Sequence, residues 1–79
     1  MAEQKKLGEL KIGERATVQS IESDGLRSKL LELGLTTGSN IHVLYFAPLG
    51  DPIAIDLEGF VLSLRKSEAN LIQVTVQPD

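Results

Sequence analysis

Residues 21–38, I-E-S-D-G-L-R-S-K-L-L-E-L-G-L-T-T-G, carry a complete helix signature, with a start, an apolar face and a stop. Leu26, Leu30 and Leu33 recur at i, i+4 and i+7 and so share one face, and Leu31 widens the stripe. Arg27, Ser28, Lys29 and Glu32 fall mainly on the other side. Ser23 or Asp24 can cap the first turn, since a short side-chain oxygen there accepts an otherwise unpaired backbone N–H. Gly34 follows the last periodic residue, where a left-handed conformation is needed and a Cβ would clash. Leu35 then stands where a Schellman end packs an apolar residue back on Leu30. The helix separates a short lead from a remainder that alternates with strand periodicity.

Residues 1–6 are polar and read as a loose start. Leu7 and Leu10, three apart, form one helical turn that lays two leucines on the core. The first strand covers residues 15–22; Ala16 and Val18 share a face, Ile21 has the opposite parity, and a bulge near Gln19 and Ser20 reconciles them. The second strand, 39–47, sets Ile41, Val43 and Tyr45 on one face and His42, Leu44 and Phe46 on the other. Pro48, Gly50 and Pro52 break the chain into a turn. Strand three, 53–57, points Ile53, Ile55 and Leu57 inward and Ala54 and Asp56 outward. Strand four, 60–65, points Phe60, Leu62 and Leu64 inward. A two-residue loop at Glu58 and Gly59 pairs 57 with 60, 55 with 62 and 53 with 64, all on one face. Glutamate is a poor choice for the positive φ of that turn, so a four-residue loop of the same parity stays open. Residues 66–70 read as one 3₁₀ turn. Strand five, 71–76, points Ile72, Val74 and Val76 inward.

Five short strands cannot enclose a core as a flat open sheet. The expected fold is mainly β: a small SH3-like five-stranded barrel with one α-helix inserted between strands one and two. The 79 residues suffice for one domain, 1–79, with an ordered core over about residues 7–76.

The net charge is −3, and it is unevenly spread. Residues 1–15 hold four cations against three carboxylates, which leaves −4 on the rest. Without clustered Lys and Arg, nucleic-acid binding is not expected. The chain has no cysteine, which excludes disulfides, thiolate metal sites and cysteine nucleophiles and suits a reducing cytoplasm. No apolar run approaches the roughly 20 residues of a membrane helix, so direct membrane insertion is not expected.

The order and spacing of four segments resemble the ferrous-iron transport protein A (FeoA) family. They are L-x-x-L-x-x-G-E (Leu7, Leu10, Gly13, Glu14), R-x-x-L-L-E-L-G-L-x-x-G (residues 27–38), P-L-G-D-P-I (48–53) and L-R-x-S-E-A-x-x-I-x-V (64–74). The resemblance implies an SH3-like barrel with an inserted helix. It also implies a small cytoplasmic accessory of bacterial ferrous-iron uptake that binds and regulates FeoB, a membrane transporter with a cytosolic GTP-binding domain. Contact with either that domain or the membrane part fits the resemblance.

Catalysis finds no support in the residues. Ser and Thr lack a general base, and no phosphate-binding glycine loop is present. His42 is the one histidine, and neither an H-x-H pair nor a His–carboxylate cluster accompanies it in sequence. Asp56 and Glu58 could attract a cation, or simply keep the outer face of the sheet solvated. No catalytic residue, metal ligand or intrinsic cofactor is therefore expected, and at most a weak association with Fe2+. An interaction surface is what remains. Its candidates are Leu26 at the helix start, Arg27 and Lys29 as its rim, Leu44 and Phe46 on the outward strand face, and Pro48 and Leu49 at the turn tip. The bland alternative is that helix and second strand cover each other. An Fe2+ carrier or sensor is the alternative function, and weak self-association through open sheet edges is the remaining partner expectation.

Overall fold

The computed structural model describes residues 2–76. Six strands form one antiparallel sheet: β1 (Glu3–Lys6), β2 (Arg15–Ile21), β3 (Asn40–Phe46), β4 (Ile53–Leu57), β5 (Phe60–Leu64) and β6 (Ile72–Val76). A nine-residue helix, α1 (Asp24–Glu32), follows β2, and a single helical turn, α2 (Lys66–Ala69), follows β5. The strands lie in the order β1-β6-β2-β3-β4-β5. Among the described residues no pairing joins β5 back to β1, so the sheet is open. The expected count of five strands is corrected to six. Glu3 to Lys6, read as a loose start, pair with Val76 to Gln73. A polar segment can serve as an edge strand because the ladder uses only its backbone.

The inward side chains of β2 to β6 make one cluster with Leu7, Leu10, Leu26, Leu30, Leu35 and Ala69. Leu62 and Leu64 from one end of the sheet share it with Ile72 and Val74 from the other side of β2. The sheet is therefore curled about one interior, as a chain this short requires. A flat sheet of this size would leave one apolar face wet.

Ser23 caps α1, its Oγ accepting from the Leu26 N–H at 3.2 Å. The helix stops as the sequence predicts. Gly34 has φ +94°, Leu35 N–H donates to the Leu30 carbonyl at 2.9 Å, and Gly34 N–H to that of Leu31 at 3.0 Å. Those two bonds define the Schellman end, and Leu35 returns fully buried. The helical stripe is narrower than expected. Leu26 and Leu30 are buried, but Leu31 and Leu33 are exposed, because a helix of two and a half turns seats one row on a curled sheet.

Two bulges set which side chains face in. In β2 the register against β6 shifts between Val18 and Ser20, which turns Ile21 inward as expected. In β3 it shifts between Val43 and Tyr45, leaving Leu44 as the extra residue. Parity then inverts. Tyr45 lies opposite Ala54 and is 54% exposed, while Phe46 lies opposite Ile53 and packs against the core. The assignment of Tyr45 inward and Phe46 outward is thereby corrected. The β4–β5 hairpin has the predicted two-residue loop and register; Glu58 takes φ 51° and Gly59 φ 99°. Phe60, expected inside, is half exposed because it ends an edge strand. Ala54, expected outside, is buried between its cross-strand neighbours Tyr45 and Ser63.

Glu68 fastens α1 to α2. Its Oε1 accepts from the Arg65 N–H at 3.0 Å and its Oε2 from Lys29 Nζ at 2.9 Å. The backbone hydrogen bond first, and Lys29 second, hold its carboxyl below the usual glutamate range. A depressed folded pKa adds stability above the unfolded value and loses it as pH falls through the folded one.

Two predictions follow from this packing. Phe46→Ala should cost about 2 kcal/mol, seen as a fall in Tm of several degrees in a thermal melt; an unchanged Tm would put the ring outside the core. Glu68→Gln should be less stable than wild type at neutral pH, and the difference should shrink on acidification below the ordinary glutamate pKa. Denaturant midpoints measured across that range read it directly.

Candidate groove between the helix, the second helical turn and the 48–52 turn

Packing α2 beside the start of α1 opens a shallow depression lined by Gly25, Leu26, Lys29, Ser67, Glu68 and Leu71. Its walls are mainly apolar, and Leu71 is 38% exposed. A second depression adjoins it across the Lys29–Glu68 pair and is lined by Asp51, Pro52, Ser63 and Arg65. Asp51 joins the 48–52 turn to α2, since its Oδ1 accepts from the Lys66 N–H at 2.9 Å. Together they make a groove from the helix start to Asp51 and Pro52, crossed midway by one ion pair.

Of the expected interaction residues, Leu26 and Lys29 line this groove. Leu26 is nearly buried, so only its edge contributes. Arg27 follows Leu26 in the same helical turn and does not line the groove. It is engaged at both ends, with Nη1 at 2.8 Å from Asp24 Oδ1 and Nη2 donating to the Ile21 carbonyl at 2.9 Å. Pro48 and Leu49 form a 3₁₀ turn just before Asp51. Leu49 is fully exposed and has φ 72°, an uncommon conformation for a non-glycine residue. Leu44 and Phe46 do not line the groove: Leu44 is the half-buried bulge residue and Phe46 is partly buried against the core.

Sequence reasoning missed Glu68, Leu71 and Asp51. Glu68 and Leu71 are remote from Leu26 in the chain, and only the docking of α2 on α1 brings them together. Arg27 and Lys29 are themselves more than half exposed, although their partners differ: Asp24 is open to solvent and Glu68 is half-buried.

On the outer face of the sheet, His42 lies directly opposite Asp56 in the β3–β4 register and opposite Arg15 in the β2–β3 register. Glu58 lines the same shallow depression. The register thus puts across the strand from His42 a carboxylate that the sequence does not place beside it. Among the described residues no group of three His, Asp or Glu side chains is gathered closely enough to hold a metal ion. No helix among them is long and apolar enough to cross a membrane.

A family model described as the FeoA domain matches residues 5–76. A relative from Porphyromonas gingivalis, described as a Fe(2+) transport protein A/Fe(2+) transporter FeoB fusion protein, is 36% identical over 70 residues. The match takes in 87% of this chain and 8% of the relative, so this chain spans less than a tenth of that protein. The solution structure of the FeoA protein from Chlorobium tepidum is 44% identical, with a TM-score of 0.88 over 94% of this chain and 71% of that one. That of a FeoA-like protein from Clostridium acetobutylicum is 39% identical, with a TM-score of 0.88 over 100% of this chain and 93% of that one. Sequence pattern, matched length and backbone agree over the same residues, and the chain belongs to the FeoA domain family.

Proposed function

We propose that this chain is a non-enzymatic accessory domain of ferrous-iron uptake, working in the cytoplasm, which binds a FeoB-type transporter and regulates it through protein–protein contact. The observation that carries this reading is the fusion in Porphyromonas gingivalis, where a segment like this chain and the transporter are one polypeptide. Tethering raises the effective concentration of two modules for each other, which matters only where they meet. The groove suits such a contact. It offers an apolar floor at Leu26 and Leu71 and charge at Lys29 and Glu68, with Arg27 on the same helix and the exposed Leu49 in the turn that leads to Asp51 as further contacts. The cytosolic GTP-binding domain of the transporter is the partner surface to try first.

Leu49 tests this cleanly, because a fully exposed side chain gives the core nothing to lose. Leu49→Ala should leave Tm unchanged and weaken binding to the GTP-binding domain by more than about 1 kcal/mol, roughly fivefold in Kd. NMR titration of the labelled chain reads the same contact, with shifts expected at the start of α1 and at Pro48 and Leu49. Shifts confined to other surfaces, or binding indifferent to the substitution, would move the contact elsewhere.

A second reading, an Fe2+ carrier, is favoured by the cross-strand pair of His42 and Asp56 with Glu58 nearby. It predicts saturable shifts around His42 with anaerobic Fe2+ alone, abolished by His42→Ala. The accessory reading predicts that this substitution changes transporter binding little.

A further inference from the structure

The open sheet has two edges, and they are unlike. β1 reads Glu-Gln-Lys-Lys, and charge along an edge strand resists pairing with another chain. β5 reads Phe-Val-Leu-Ser-Leu, without a charge, and exposes Phe60 and Val61 by 46% and 57%. The register states which of its backbone groups are unpaired. A two-residue loop makes Leu57 and Phe60 the pair that exchanges both N–H···O=C bonds. Alternation along the ladder then assigns Leu62 and Leu64 to bonded pairs with Ile55 and Ile53. Val61 and Ser63 are left with N–H and C=O directed away from β4. Among the described residues no neighbouring element takes those four groups up.

We propose that β5 pairs antiparallel with β5 of a second copy of this chain, about a twofold axis at Leu62. Val61 then opposes Ser63 of the second copy, and Ser63 opposes its Val61. Each pair exchanges two hydrogen bonds, so every outward group of both strands is satisfied. A twofold centred on Val61 or on Ser63 satisfies only one such pair. The flanking charges favour the same arrangement. Glu58 lies in the turn before β5, while Arg65 and Lys66 follow it into α2, so antiparallel pairing brings the acidic end of each strand near the basic end of the other, twice. A parallel pairing would bring like charges together. Phe60 comes to lie beside Leu64 of the second copy, on the core side, where its half-exposed ring is covered. Five residues a side make a contact well below the about 800 Å² per partner of a standard interface, so the dimer is weak and concentration-dependent.

Sedimentation velocity over a concentration series up to about 1 mM, with amide exchange followed by NMR, tests this. The expected result is a monomer–dimer equilibrium in which the Val61 and Ser63 amides gain protection of at least tenfold. Phe60, Leu62 and Leu64, already bonded to β4, should not change. Val61→Pro removes an outward N–H that the β4 ladder does not use and should abolish the dimer. Glu58→Lys should weaken it, and Glu58→Lys combined with Lys66→Glu should restore it; this pair decides the matter should the proline variant fail to fold. A chain that stays monomeric throughout overturns the proposal. So does a dimer whose protection appears elsewhere, or one indifferent to the charge exchange.

Discussion

The apolar cluster that every strand from β2 to β6 shares with α1 is what the rest of the structure depends on. A domain this small buries only roughly 60% of its unfolded surface, so it cannot maintain two separate interiors. The sheet must curl until its two ends meet over the same leucines and isoleucines. Leu30 and Leu35 close the opening from above, one at the last turn of α1 and the other just past its glycine stop. A Cβ on Gly34 would meet only Leu57 Cδ2, at 4.0 Å. Glycine is needed there for its left-handed backbone rather than for space.

Curling a sheet has consequences at its surface. The bulges in β2 and β3 that permit it also choose which side chains turn out, presenting Tyr45 to solvent and taking Phe46 in. Closure is incomplete, which leaves β1 and β5 as edges. It also leaves a gap beside α1 that α2 fills only in part. The groove is that gap. Its floor is whatever apolar surface the core did not absorb, and the Lys29–Glu68 ion pair bridges it.

The family was legible from the order of four short segments, each of which is mostly structural punctuation. Leu7 and Leu10, the Ser23 cap, Gly34, and the Glu58–Gly59 loop all do in space what their spacing implies. The candidate surface was legible only in part. Leu26 and Lys29, expected from the sequence, line the groove, while Pro48 and Leu49 lie in the neighbouring turn and line neither depression. Glu68, Leu71 and Asp51 carry no local signal, since nothing near them in the chain marks them as neighbours of α1.

Local chemistry thus decided by itself where elements start, stop and turn, because caps, glycine stops and two-residue loops are settled by residues within a few positions of one another. It also set the strand parity wherever the ladder is regular. Tertiary structure alone decided the sixth strand, whose polar residues earn their place through the backbone of β6. It decided the inversion at Leu44, which follows from fitting β3 against β4 on a curved sheet. It placed Asp56 opposite His42 and Glu68 against Lys29. Each of these joins residues distant in the chain, and its free energy comes from a contact that exists only once the sheet has closed on its core.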